Sequence, residues 1–204
     1  MSSVAIDATQ LTPPAGYRLL ASLVVPRPIA WVSTRGQDGS VNLAPFSFFN
    51  AVGDQPPTVM ISIGRRRGAP KDTLRNIEET GVFVVNFVSQ DLSAAMNVTS
   101  GDWPYGDSEF ARAGLSLAPG AAVDAPRVAQ ARAALECRLS QVVPVQGTTY
   151  TMVLGQVQCF HLTEGLLRPN GTADPAALNA LGRLGGDEYA PLGPAFAIPR
   201  PVVR

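Results

Sequence analysis

Apolar positions along this chain recur with a period of two or in short unbroken runs, the pattern of strands rather than of long helices. Ile29-Ala30-Trp31-Val32-Ser33-Thr34 is an apolar, β-branched run introduced by the stiff Pro26-Arg27-Pro28 segment. Arg35-Gly36-Gln37-Asp38-Gly39 contains an Asp-Gly pair of the kind that closes hairpins, so Val41-Asn42-Leu43-Ala44 is predicted as the return strand, ended by Pro45. Val59-Met60-Ile61-Ser62-Ile63 is a third strand between Pro56-Pro57 and Gly64. Val82 to Val88 is a fourth, and its near-continuous apolarity predicts burial on both faces. Further on, Leu135, Cys137 and Leu139 alternate with Glu136, Arg138 and Ser140. Tyr150 to Leu162 reads as one long strand in which Gly155 predicts a bulge or a barrel corner.

Short helices interrupt this pattern. One is predicted between the third and fourth strands, with Asp72 or Thr73 as N-cap, Leu74 and Ile77 on its apolar face and Gly81 as its stop. Ser89 to Val98, Asp107 to Ala113 and a segment opened by Asp174-Pro175 and ended by Gly182 are the others. The tail after Tyr189 is proline-rich and is expected to drape over a surface. Many strands, hairpin signals and few helices predict a closed, mainly β architecture. A parallel sheet is the second reading, because the strand, helix, strand succession around Lys71 is not repeated regularly.

Composition narrows the function classes. The 204 residues are 46% hydrophobic and 16% charged, enough for a large core in one domain. We expect that domain to span residues 1–204, with an extended N-terminal segment (about 1–16) and a Pro-rich C-terminal segment (about 190–204). The formal net charge is zero, without the basic excess of a nucleic-acid binder. No apolar run reaches the roughly 20 residues that span a bilayer, and residues 1–10 lack the pattern of a signal peptide. The expectation is a cytoplasmic chain with neither nucleic-acid nor membrane partners. Cys137, Cys159 and the single histidine, His161, lack metal-site spacing, so no metal site is expected and both thiols read as reduced core cysteines.

The motifs exclude more than they assign. There is no Gly-x-Gly-x-x-Gly, no Gly-x-x-x-x-Gly-Lys-Ser/Thr and no Gly-x-Ser-x-Gly. One constellation stands out: Arg65, Arg66, Arg67 and Lys71, the only lysine among 16 basic residues, run into Asp72-Thr73 at a helix start. A helix N-terminus offers unpaired N–H groups to an anion, and Lys71 with the Thr73 hydroxyl would suit a phosphate monoester. The same residues would also serve as a solvated basic loop. Ala44-Pro45-Phe46-Ser47-Phe48-Phe49-Asn50-Ala51-Val52 brackets a serine and an asparagine with aromatics, either as wall for a flat heterocycle or as a core-packing loop.

Taken in order, several stretches resemble the flavin reductase-like, FMN-binding split-barrel family, and within it the flavoredoxin and flavoprotein oxygenase branch. They are Arg27 to Thr34, Asn42 to Asn50, Pro56-Pro57 and Lys71 to Ile77. Val85-Asn86, Met96-Asn97, Gly155-Gln156-Val157 with His161, and Leu181 to Tyr189 complete the set. The resemblance implies a six-stranded Greek-key split barrel, with FMN as cofactor near the interface of a homodimer. It places Trp31, Ser33 and Thr34 along the flavin, and Ser47, Phe48, Phe49 and Asn50 around the ring and ribityl chain. It assigns Ser62, Lys71 and Thr73 to the phosphate, Asp72 to support of that helix start, and Arg183 and Tyr189 to the substrate side. No side-chain acid or base is implied as catalytic. The function implied is an FMN-dependent oxidoreductase, NAD(P)H:flavin reductase-like, passing a hydride to flavin and on to free flavin, a partner protein or oxygen. A flavoredoxin-type electron carrier or ferric reductase is the alternative, and a non-catalytic flavin-binding protein the reading from another class. Many dedicated NAD(P)H:flavin reductases carry Gly-Asp-His where this chain has Gly155-Gln156-Val157, a departure that weighs on nicotinamide oxidation and not on FMN binding.

Overall fold

A computed structural model describes residues 2–202. Helix α1 (Pro13–Leu23) precedes strands β1 (Arg27–Pro28), β2 (Ala30–Arg35), β3 (Val41–Phe46), β4 (Phe49–Asp54) and β5 (Pro57–Gly64). Helix α2 (Asp72–Thr80) leads to β6 (Val82–Phe87), α3 (Ser93–Val98) and α4 (Glu109–Arg112). The rest comprises β7 (Leu117–Ala118), β8 (Arg127–Val128), β9 (Ala133–Pro144), β10 (Tyr150–Leu162), α5 (Pro175–Leu178), β11 (Leu181–Arg183) and β12 (Tyr189–Pro191).

Seven strands pair in the order β3-β2-β6-β9-β10-β5-β4, each pair antiparallel. The outermost strands of that order, β3 and β4, are separated in sequence only by Ser47 and Phe48. Two residues cannot cross an open seven-stranded sheet, because neighbouring strands lie about 4.8 Å apart. The sheet therefore curls until its ends meet, and at the seam the Ser62 N–H donates to the Phe48 carbonyl at 2.8 Å. The mainly β barrel expected from the sequence forms, with β4 as an added edge strand. A small sheet of β1, β11 and β12 lies beside it. No helix among the described residues is long and apolar enough to cross a membrane.

Alternation along β2 explains its double burial. Ala30 and Val32 enter the barrel core with Phe46, Ile61, Phe83, Val85 and Val153, whereas Ile29 and Trp31 belong to a second cluster with Leu43, Met96, Phe110 and Leu181. That second layer is supplied by the short helices and loops outside the barrel. The β9–β10 register shifts between Leu154 and Gly155, where the sequence placed a bulge. Glycine is required there by close approach, since a Cβ would lie 2.3 Å from the Phe83 ring.

Several boundaries differ from expectation, each for a local reason. Pro13 and Pro14 open α1 inside the segment expected to be extended, because proline is tolerated in the first helical turn. The Phe49–Asp54 stretch, read as loop, pairs as β4 with β5. Lys71, not Asp72 or Thr73, is the N-cap of α2, and no side-chain cap hydrogen bond is made there. The helix expected over Ser89 to Val98 splits into a 3-10 turn at Gln90–Leu92 and α3. Asn179, at φ 48°, ends α5 before Gly182, which lies in β11. Phe196 and Ile198 of the tail are 85% and 80% exposed, so these side chains do not drape onto the described surface. Met1 and residues 203–204, the ends of the expected terminal segments, lie outside the described residues.

Gly81 behaves as expected of a helix stop: it ends α2 at φ 72° and its N–H returns to the Ile77 carbonyl. A Cβ there would meet nothing within 4 Å, so only backbone strain opposes alanine. Gly81→Ala is expected to lower stability by about 1 kcal/mol, read as a shifted urea midpoint with an unchanged slope. An unshifted midpoint would contradict the left-handed cap.

Candidate functional site

Pro45, at the end of β3 beside the barrel seam, is shared by three adjoining hollows of about 220, 200 and 130 Å³. The first runs under the start of α2 and is lined by Asn42, Lys71, Asp72 and Thr73, with Arg66 and the Thr99–Asp102 turn opposite. The second holds Ser47, Phe48, Ser62 and Lys71 with Tyr17, Arg65 and Tyr150. The third lies between Tyr17, Ile29, Ser47, Met96, Arg183 and Tyr189. Lys71 joins the first lobe to the second, and Tyr17 and Ser47 join the second to the third.

Each lobe has its own chemistry. In the first, the uncapped α2 N-terminus leaves first-turn N–H groups without a side-chain acceptor. Asn42 Nδ2 donates to Thr73 Oγ1 at 2.9 Å and fixes that hydroxyl. Lys71 makes no salt bridge among the described residues, and its Nζ lies 5.3 Å from the centroid of the Phe46 ring. Burial, with Arg66 adding to it against the opposing charge of Asp102, holds its pKa below the ordinary 10.5. Arg66 is committed elsewhere, to Asp102 at 2.8 Å and the Trp103 carbonyl at 2.9 Å. Asp72 pairs with Arg75 at 2.8 Å. Glu109, which accepts from the Leu43 N–H at 3.0 Å, has its pKa raised, chiefly by burial. Lys71 is thus a half-buried cation that lines the cleft without a carboxylate partner among the described residues.

The second lobe is aromatic. Phe48 packs between Tyr17 and Tyr150, with centroids 6.3 and 5.5 Å away. In the third, Arg183 donates to the Tyr189 hydroxyl, and its guanidinium lies 4.4 Å from that ring centroid.

Of the residues singled out by sequence, Ser47, Phe48, Ser62, Lys71, Asp72, Thr73, Arg183 and Tyr189 line this cleft. Trp31, Ser33, Thr34, Phe49 and Asn50 do not. Trp31 is fully buried and donates from Nε1 to Thr99 Oγ1 at 2.8 Å. Ser33 donates to the Pro126 carbonyl at 2.5 Å, and Thr34 accepts from Asn76 at 3.0 Å. Phe49 packs edge-on to Phe87 in the core, and Asn50 is exposed on β4. The alternation of β2 accounts for the first three: Ala30 to Thr34 are all buried, one face by the core and the other by the outer layer.

Sequence reasoning missed Tyr17, Asn42, the Thr99–Asp102 turn, Glu109 and Tyr150, which reach the cleft from five separate segments. It also missed Arg27, which is 5% exposed. Arg27 donates to the Val24 and Leu184 carbonyls, each at 2.8 Å, and to Ser47 Oγ at 3.4 Å. An arginine spending its donors on backbone carbonyls ties the end of α1 and the β11–β12 hairpin to the seam. The Arg27-Pro28 pair opening the β2 run was its only signal.

The model of the family described as flavin reductase like domain matches residues 22–179. An uncharacterized protein of Halalkalibacterium halodurans is 38% identical over 97% of this chain and 97% of its own. Nitrilotriacetate monooxygenase component B from Bacillus cereus superposes with a TM-score of 0.93 at 33% identity, covering 97% of this chain and all of that one (100%). The 2-nitrobenzoate 2-nitroreductase of Pseudomonas fluorescens has a TM-score of 0.88 at 31% identity, covering 97% and 96%.

Proposed function

The chain belongs to the flavin reductase like domain family, and we propose on that basis that it is an FMN-dependent oxidoreductase whose cofactor lies in the three-lobed cleft. The observation that carries this reading is Lys71: an ammonium without a carboxylate partner among the described residues, at an uncapped helix start, beside an aromatic-walled hollow. A phosphate monoester answers the ammonium, the Thr73 hydroxyl and the open N–H groups of α2. A flat ring system answers Phe48, Tyr17 and Tyr150. The donor set therefore fits FMN.

When bound, FMN would supply two-electron hydride chemistry, with a nicotinamide as the proposed donor and free flavin, a partner or oxygen as the proposed acceptor. Lys71 and Thr73 hold the phosphate end, and Asp72 steadies Arg75 beside it. Ser47 and Ser62 offer hydroxyls along the cleft. Arg183 and Tyr189 face the third lobe, where an electron donor or acceptor would enter. No side chain is required to move a proton.

A flavoredoxin-type electron carrier is the second reading, favoured by one observation. Val157, where dedicated reductases carry histidine, packs against the barrel core and does not line the cleft. We further propose a homodimer, since β4 is exposed beyond Phe49 and the tail presents Phe196 and Ile198 to a second copy.

The test is an anaerobic titration of the purified protein with FMN, then with NADH or NADPH. The reductase reading expects one FMN per chain in a particle of two chains, and rapid bleaching by one nicotinamide. Slow bleaching moves the assignment to the carrier. Failure to bind FMN at all sinks the proposal.

A further inference from the structure

We propose that Glu136, Cys159 and His161 form a binding site for a zinc-like divalent cation on the outer face of the barrel, apart from the flavin cleft. The three come together through strand register. Cys159 lies opposite Glu136 in the β9–β10 pairing and His161 opposite Ala134, after a register shift between Val157 and Cys159. Residues two apart on a strand share a face, so the shift delivers thiol and imidazole together onto the face of Glu136. One ligand atom from each of the three falls within 4.8 Å of the others.

The donor set and its spacing suit such an ion. Thiolate, imidazole and carboxylate are ligands of zinc, which favours tetrahedral geometry with bonds of about 2.3 Å to sulfur and about 2.0 Å to nitrogen. Those bonds put ligand sulfur and nitrogen about 3.6 Å apart, and Cys159 Sγ lies 3.7 Å from His161 Nε2. Three protein ligands leave the fourth position to water or to an exogenous donor.

Glu136 is built as a buried anchor. Its side chain is fully buried. Oε1 accepts the Ala121 N–H at 2.6 Å, and Oε2 accepts those of Ala122 at 2.6 Å and Val123 at 2.8 Å. These bonds orient the carboxylate as outer-shell partners orient a metal ligand. Burial acts to raise its pKa, but the three N–H donors and His161 outweigh it and hold the carboxyl below its ordinary value. Oε1 has a second lone pair, directed at His161 Nε2, and a carboxylate oxygen accepts there from the tautomer that carries its proton on Nε2. A divalent ion takes the place of that proton: the ring proton moves to Nδ1, the Cys159 thiol proton is released, and the Nε2 and Oε1 atoms separate to admit the ion.

Sequence reasoning expected no metal because it counted two cysteines and one histidine without the carboxylate. Cys137 indeed takes no part. It faces the barrel core, where burial, and after it the Glu136 charge, push its thiol up to about 12. Cys159 is the half-buried thiol open to exchange.

Cobalt(II) added to the reduced, chelator-treated protein is the probe. The expected result is a thiolate-to-cobalt charge-transfer band with tetrahedral visible bands, saturating at one cobalt per chain and displaced by zinc. Cys159→Ser should remove the charge-transfer band, and His161→Gln should weaken cobalt binding by roughly tenfold or more. Both side chains are partly exposed, and thermal melting of each variant confirms that it is folded. Absence of the band in the unsubstituted protein, or its persistence in folded Cys159→Ser, overturns the site.

Discussion

Trp31→Ala is expected to lower the unfolding free energy by about 3–5 kcal/mol, measured by urea denaturation. The indole is fully buried in the layer outside the barrel, packed in one cluster with Leu43, Met96 and Phe110. Removing it leaves a cavity between β2 and the helices that cover it, which those short elements cannot close without shifting. The lost hydrogen bond to Thr99 is the smaller part, about 1 kcal/mol. Trp31→Phe separates the two, because it keeps most of the buried area and gives up only the Nε1 donor. Since Thr99 also lines the first lobe of the cleft, the phenylalanine variant should lose only about 1 kcal/mol of stability and a little FMN affinity. A stable Trp31→Ala protein with a displaced flavin spectrum would reverse this assignment and return Trp31 to the cofactor, where the family resemblance placed it.

Lys71→Ala is expected to weaken FMN binding by about 1.5–3 kcal/mol, roughly 10- to 150-fold, and to leave riboflavin binding unchanged. The contrast isolates the phosphate, which riboflavin lacks. Equal losses for both ligands would place Lys71 against the ring instead. The pH dependence carries a sign that can be worked out. Burial lowers the pKa of Lys71 below 10.5 in the ligand-free protein, so between the lowered value and 10.5 the unfolded chain binds more protons than the folded one. The contribution of Lys71 to ligand-free stability therefore rises with pH across that window. The affinity for a phosphate falls across the same window, because the ammonium that holds it is being lost. Lys71→Arg should flatten both trends, since a guanidinium stays charged.

Much of this architecture is legible in the order of residues. Strands β2, β5, β6 and β10 stand out by their apolar runs, and Gly155 announces its bulge because a glycine inside a strand needs a reason. Lys71 is conspicuous as a lone lysine before a helix. What escapes is information that no single segment holds. The apolar, β-branched run at β2 announces a strand but not which layer buries each of its faces, so Trp31, Ser33 and Thr34 are placed by resemblance alone. Helix α1 hid behind Pro13-Pro14, which punctuate most segments and here occupy the one turn that tolerates them. The edge strand β4 hid in a stretch whose exposed side chains give no alternation. Glu136 precedes Cys159 by 23 residues and His161 by 25, and only the register of two long strands makes it their neighbour.

The two-residue corner at Ser47 and Phe48 joins the ends of the barrel and walls the cleft at once. The pocket consequently has no existence before closure: its walls come from Tyr17, β3, β5, α2 and Tyr189, and no fragment of the chain carries them together. A cofactor that recognises this pocket cannot nucleate folding. Its binding energy is added after the slow, long-range pairings are complete, and it deepens only the native well. Saturating ligand should therefore be felt as slower unfolding rather than as faster folding, so the cofactor would act as a latch on a barrel that has already shut.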